Sequence, residues 1–184
     1  MELRSVDELM DLLHACRGAR GTPDLPHSRT LPHSRLLPHS RLRSSGETPM
    51  SGETPMSGGP PADGSLDLHD HALQTAALLR RGHPSDKELQ VAGLVHGIGQ
   101  LLHPGDEARH ADHAADAVRS LLGERVARLV RLHAAPWDDG PFDDDVLSLR
   151  QADEAGKVAG LNAGVLEDWR TVLELVAARA TVRR

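Results

Sequence analysis

The stretch HALQTAALLRR, residues 71–81, puts its apolar residues on one helical face and runs into Gly82-His83-Pro84, which ends it. The same grammar continues downstream. Ser85 with Glu88 spells a capping box that predicts a helix over Asp86–His96, with Leu89, Ala92, Val95 and His96 along one side. Gly97–Gly105 is glycine- and proline-bearing and reads as a loop. His110–Leu122 is helical by period and stops at Gly123. Glu124–Ala135 carries Val126, Leu129, Val130 and His133 before Pro136. Val146–Val158 and Val165–Ala180 follow, joined by a Gly-Leu-Asn-Ala-Gly turn. Upstream, Ser5 with Glu8 opens a segment over residues 5–18 in which Leu9, Leu12, Leu13 and Cys16 recur at helical spacing before Gly18 and Gly21. No segment shows sustained β-alternation. The expected fold class is all-α.

Composition agrees. The 184 residues argue for one folded domain. Aromatics make up 2%, so the core must be built from Leu, Val and Ala, which suits packed helices better than a β-sandwich. A formal net charge of −6 offers no basic footprint for nucleic acid or an anionic membrane, and the shortage of rings removes base-stacking platforms. Cys16 stands alone, which excludes an internal disulfide framework and a Cys-based zinc finger, and core packing is its expected role. No apolar run approaches the roughly 18–20 residues of a membrane span. The opening MELRSVDELMDLL mixes acids with its apolar residues and reads as an amphipathic helix rather than a signal peptide. A soluble, cytoplasmic protein is the expectation.

Between the first helix and the rest lies a tract of another kind. Pro-His-Ser-Arg occurs at Pro26–Arg29, Pro32–Arg35 and Pro38–Arg41, and Ser-Gly-Glu-Thr-Pro-Met at Ser45–Met50 and Ser51–Met56. Both repeat every six residues. The units are too short and polar to bury a face, and their prolines forbid helix and central strand. Residues 22–65 therefore read as a disordered low-complexity insertion, between an N-terminal helix in residues 1–21 and a helical domain over 66–184.

Twelve histidines are the unusual entry in the composition. Any one of them on a core-facing helix is ordinarily a buried, hydrogen-bonded side chain. His71, His96, His113 and His133, however, fall at the ends of four successive helices, and Asp153 lies in a fifth. Helix-borne imidazoles and carboxylates converging inside a bundle are how helical proteins hold metals such as iron. Other features read more plainly. His69-Asp70 precedes the first helix of the domain without an apolar run to bury it. Gly97-Ile98-Gly99 follows a helix rather than a strand and is no nucleotide loop. Asp138-Asp139 and Asp143-Asp144-Asp145 read as solvated loop and helix N-terminus.

The order HALQTA, LVHGIGQLL, HADHAADAV, RLVRLHAA and LRQADEAGKVAG resembles the HD-domain metalloprotein superfamily, with SVDELMDLL as its opening. The likeness is nearest to the mixed-valent diiron oxygenase branch, the phosphonate-cleaving oxygenases related to myo-inositol oxygenase. It covers residues 5–20 and 66–176 and implies an HD-type helical bundle. It also implies His71, His96, His113, His133 and Asp153 as metal ligands, with Lys157 on the same face as Asp153 and supporting it. Departures accompany it, among them a missing stretch of roughly 25–30 residues that Pro136–Leu149 replaces and the lack of any tyrosine. Gly97 stands where the name-giving aspartate bridges two metals, Ala152 where the branch has tryptophan, and Trp137 where it has a substrate-binding lysine. Without the bridge, His71, His96 and Asp153 remain a two-histidine, one-carboxylate set suited to non-haem Fe(II), while two histidines alone make a poor second site. The resemblance thus implies a diverged oxygenase with impaired or lost catalysis, one iron at most or none, and a small anionic substrate. The alternatives are a single-iron oxygenase, an HD-type metal-dependent phosphohydrolase, and a non-enzymatic helical binding protein.

Overall fold

The computed structural model describes residues 2–21, 66–136, 143–157, 160 and 162–182. The repeat tract expected to be disordered lies outside them, as do Trp137, Asp138 and Asp139. Eight α-helices occupy the described residues: α1 (Val6–Ala15), α2 (Leu68–Gly82), α3 (Lys87–Val95), α4 (Ile98–Leu102), α5 (His110–Leu122), α6 (Glu124–His133), α7 (Asp144–Gly156) and α8 (Arg170–Val182). Single 3₁₀ turns at Glu107–Arg109 and Leu166–Trp169 lead into α5 and α8. Two-residue strands, β1 (Arg20–Gly21) and β2 (Leu66–Asp67), pair antiparallel with Arg20 opposite Asp67. The described residues up to 21 and from 66 onward belong to one compact unit, an all-α bundle.

Side-chain caps set the starts of α1, α2, α3 and α7. The Ser5 hydroxyl accepts the Glu8 amide at 3.1 Å, and the Glu8 carboxylate accepts the Arg4 amide at 2.8 Å. At α3 the cap is Asp86 rather than Ser85: its Oδ1 accepts the Leu89 amide at 3.0 Å. Glu88 is drawn away to Arg125 instead. Asp143 caps α7 by accepting the Asp145 amide at 3.1 Å, which places part of the acidic run at a helix N-terminus. The stretch expected as a loop from Gly97 contains α4, a short helix whose Ile98 is buried.

The core is aliphatic, as the composition requires. Leu9, Leu13, Leu89, Leu94, Leu122, Leu129, Leu149 and Leu173 are fully buried around Trp169, and the Arg80 guanidinium lies 4.9 Å above that ring. Small residues let the helices close on one another. A Cβ at Gly93 of α3 would come within 2.5 Å of Leu79 Cδ1 of α2, and Ala114, Ala115 and Ala117 are buried along α5. Cys16 is buried, and burial followed by the charge of Asp67 pushes its thiol up to about 11, which keeps it protonated and inert. No described helix is long and apolar enough to cross a membrane.

One half-buried ion cluster ties α6 to the starts of α3 and α7. Arg125 reaches Asp86 at 2.6 Å, Asp145 at 2.8 Å and Glu88 at 3.0 Å. Its hydrogen bond holds the Asp86 carboxyl below the ordinary carboxylate range. Arg125→Met leaves three acids facing one another and is expected to cost about 1–2 kcal/mol at pH 7. The sign of the pH dependence follows. A carboxyl depressed in the folded state stabilises above its unfolded value of about 3.9 and loses that contribution as pH falls through its folded value. Urea melts at pH 7 and pH 3 should therefore show wild type losing more stability on acidification than Arg125→Met.

Candidate metal centre

Four helix ends and the last turns of α7 deliver the site. Asp67 fixes the start of α2, its Oδ1 accepting the amides of His69 (2.9 Å) and Asp70 (3.1 Å), so His71 falls in the first turn. His96 follows the last residue of α3, His133 is the last of α6, and His110 is the first of α5. Asp153 and Gly156 lie on the inner face of α7.

His71, His96 and Asp153 meet in the interior. His71 Nε2 lies 2.7 Å from Asp153 Oδ1 and 3.1 Å from His96 Nε2, and His96 Nε2 lies 3.3 Å from the same carboxylate oxygen. Their three donor atoms all fall within 4.8 Å of one another. Lys157 Nζ stands 3.7 Å from Asp153 Oδ2 and 2.6 Å from Glu154 Oε1. Burial alone would raise the Asp153 carboxyl, but the hydrogen bond from His71, helped by the Lys157 ammonium nearby, outweighs it and holds the carboxyl well below the ordinary range. A buried carboxylate that stays ionised is what a cation site needs.

The imidazoles continue as a row. His96 packs edge-on to His133 with ring centroids 5.2 Å apart, and His133 packs edge-on to His110 at 5.8 Å. Burial, followed by the proximity of His96, pushes His133 down to about 3, so its ring is neutral at pH 7. His96 donates Nδ1–H to the Gly93 carbonyl and His110 to the Glu107 carbonyl, both at 2.7 Å, while His133 donates to the Val130 carbonyl. Each bond runs three residues back along the chain. A proton committed to Nδ1 leaves the Nε2 lone pair free, the orientation in which histidine binds metal.

His113 does not join this row. Its Nε2 lies 2.9 Å from Asp106 Oδ2, and its ring stacks on His103 with centroids 3.9 Å apart. His110 takes the inward place on α5. The sequence carried a signal for either, because His110…Ala114 and His113…Ala117 both spell a histidine followed four residues later by alanine. What separates them is burial: His110 is 6% exposed and His113 half-buried.

The positions around the row are equally concrete. Gly97 is buried in an ordinary right-handed conformation, φ −87°, and a Cβ there would meet only Leu68 Cδ2 at 3.8 Å. Ala152 is buried. His69 and Asp70 lie within α2 rather than before it, and His69 is buried, stacked on His14 with centroids 6.4 Å apart. Asp67, His69 and Asp70 also bring donor atoms together. The Asp67 carboxylate is already engaged by the amides of His69, Asp70 and Gly18 (2.8 Å), so that group reads as a helix cap.

These donors suit a divalent first-row cation: two converging imidazoles, one ionised carboxylate, and a buried setting. A family comparison agrees. The HD domain family matches residues 68–160, and the chain belongs to it. Among curated proteins no relative matches.

Proposed function

We propose that the protein is a diverged HD-domain metalloprotein that holds one divalent cation, iron first, on His71, His96 and Asp153. The observation that carries this is the buried convergence of those three donor atoms within 4.8 Å. His110 and His133 offer a second position two imidazoles but no carboxylate of their own, because Gly97 brings no side chain. Two neighbouring dications repel strongly, and an anionic bridge is much of what makes the pair tolerable. One cation is the consequence.

The likeness to the phosphonate-cleaving oxygenase branch makes O₂ chemistry on a small anionic substrate the first reading, with the activity weakened or lost. The cation, when bound, would supply activation of O₂ or, in the phosphohydrolase reading, of water. The chain's own residues fix its place: Asp153 supplies charge, Lys157 stands beside that carboxylate, and His96 presents an oriented lone pair. The match to the HD domain as a whole favours keeping hydrolysis as the second reading, and an anaerobic assay separates the two. Elemental analysis after anaerobic loading with Fe(II) should find one iron per chain, with occupancy lost in Asp153→Asn. Two irons per wild-type chain, or none, would overturn this reading.

A further inference from the structure

His71 differs from the other three histidines of the row. Its Nδ1 is buried and has no hydrogen-bond partner among the described residues. It lies in the first turn of α2, where no carbonyl three residues back captures it. One turn further along α2, the Thr75 hydroxyl is also fully buried and also without a partner. Helical threonines commonly bond the carbonyl four residues back, and this one does not. Both atoms pack against the same glycine of α7, for a Cβ at Gly156 would lie 2.7 Å from Thr75 Oγ1 and 3.3 Å from His71 Nδ1. Buried polar groups left unpaired are destabilising. His71 and Thr75 stand four residues apart on one helix and so share a face, which places each to serve the other.

The opposite edge of the ring says which way that bond points. His96 has its proton on Nδ1, given to Gly93, so its Nε2 is a lone pair; Asp153 Oδ1 is an acceptor too. His71 Nε2 faces both, at 3.1 and 2.7 Å, and so carries a proton while the site is free of metal. Its Nδ1 is then an acceptor. A cation taking the Nε2 lone pair reverses this, because the ring proton must move to Nδ1. Only a group able both to donate and to accept serves the two states, and a hydroxyl does.

We propose that the Thr75 hydroxyl is the switchable partner of His71, donating to Nδ1 when the site is free and accepting from Nδ1–H when a cation is bound. Thr75 is thus a positioning residue that acts through His71. The proton balance closes within the ring: Nε2 loses one proton and Nδ1 gains one by exchange through water, so His71 stays neutral and releases none. The inference rests on the single-cation reading above.

The test is ¹⁵N NMR of the histidines in the full chain, metal-free and loaded with diamagnetic Zn(II), beside Zn(II) titrations. Wild type should show His71 as the Nε2–H tautomer without metal and Nδ1–H with it. Thr75→Val, close in shape, should shift the Nδ1 resonance in both states and weaken Zn(II) binding about tenfold or more. Thr75→Ser should restore both. A metal-free wild type already in the Nδ1–H form overturns the switch whatever the variants do. So does Thr75→Val with unchanged resonances and affinity. Wild type that takes up no Zn(II), with metal-free spectra still responding to Thr75→Val, overturns the cation reading and the switch with it, which separates that failure from the others.

Discussion

Gly97→Asp is expected to raise the bound metal from the proposed one cation per chain to two. The backbone at 97 is in a conformation any residue adopts, and the first atom of a side chain there touches only Leu68 at 3.8 Å. Aspartate would also stand at the N-cap of α4, which has no side-chain cap of its own and where a carboxylate is among the best residues. Its charge arrives one residue after His96, beside the row that His133 and His110 continue. Shared between two cations, that acid both adds a ligand and offsets their repulsion. Affinity for the second ion should rise by about 100-fold, on the order of 3 kcal/mol. Metal analysis of the variant reads this directly, and O₂ consumption by the doubly loaded form would place the ancestry in the oxygenase branch. A stoichiometry that stays at one shows that His110 and His133 are not a second site waiting for its bridge.

Two residues on, the opposite result is expected. A Cβ at Gly99 would lie 1.8 Å from the His110 carbonyl oxygen and 3.1 Å from the Ala114 amide nitrogen. Those atoms are the backbone of α5, so no rotamer relieves the clash. Gly99→Ala must push α4 away from the start of α5 and carry His110 out of line. A strain of about 3 kcal/mol or more is expected, which for a domain of this size lowers the melting temperature by about 10 °C. Thermal melts of the metal-free protein test it. A variant as stable as wild type would mean that α4 and α5 can separate here without cost.

Much of this fold was legible in the sequence because the helices announce their own ends. His110–Leu122 needed only its apolar period and Gly123, and α6 begins at the residue expected, Glu124. The errors arose where two adjacent residues carried equal local signals. Ser85 and Asp86 are both good caps, and the three-dimensional demand of Arg125 on Glu88 decided between the resulting frames. The sequence disguises α4 as loop because glycines interrupt Ile98, Leu101 and Leu102, and one of them, Gly99, is required by close packing on α5 rather than by flexibility. At the site, His71, His96 and Asp153 were reachable through spacing joined to a family likeness. The choice of His110 over His113 was not, since both fit one pattern and only the packing of α5 against α6 tells them apart. The unpartnered Thr75 hydroxyl was beyond any local reading, because what leaves it exposed to His71 is a glycine many residues away on α7.

The short β1–β2 ladder has a consequence for how this chain can vary. It brings the backbone at Arg20 and Gly21 beside Asp67 and Leu66, so the two points of the described chain that residues 22–65 connect are neighbours. Closing a longer excursion between fixed posts costs little, about 0.6 kcal/mol for each doubling of its length. On chain closure alone, hexads can accordingly be gained or lost between these neighbouring posts at little cost.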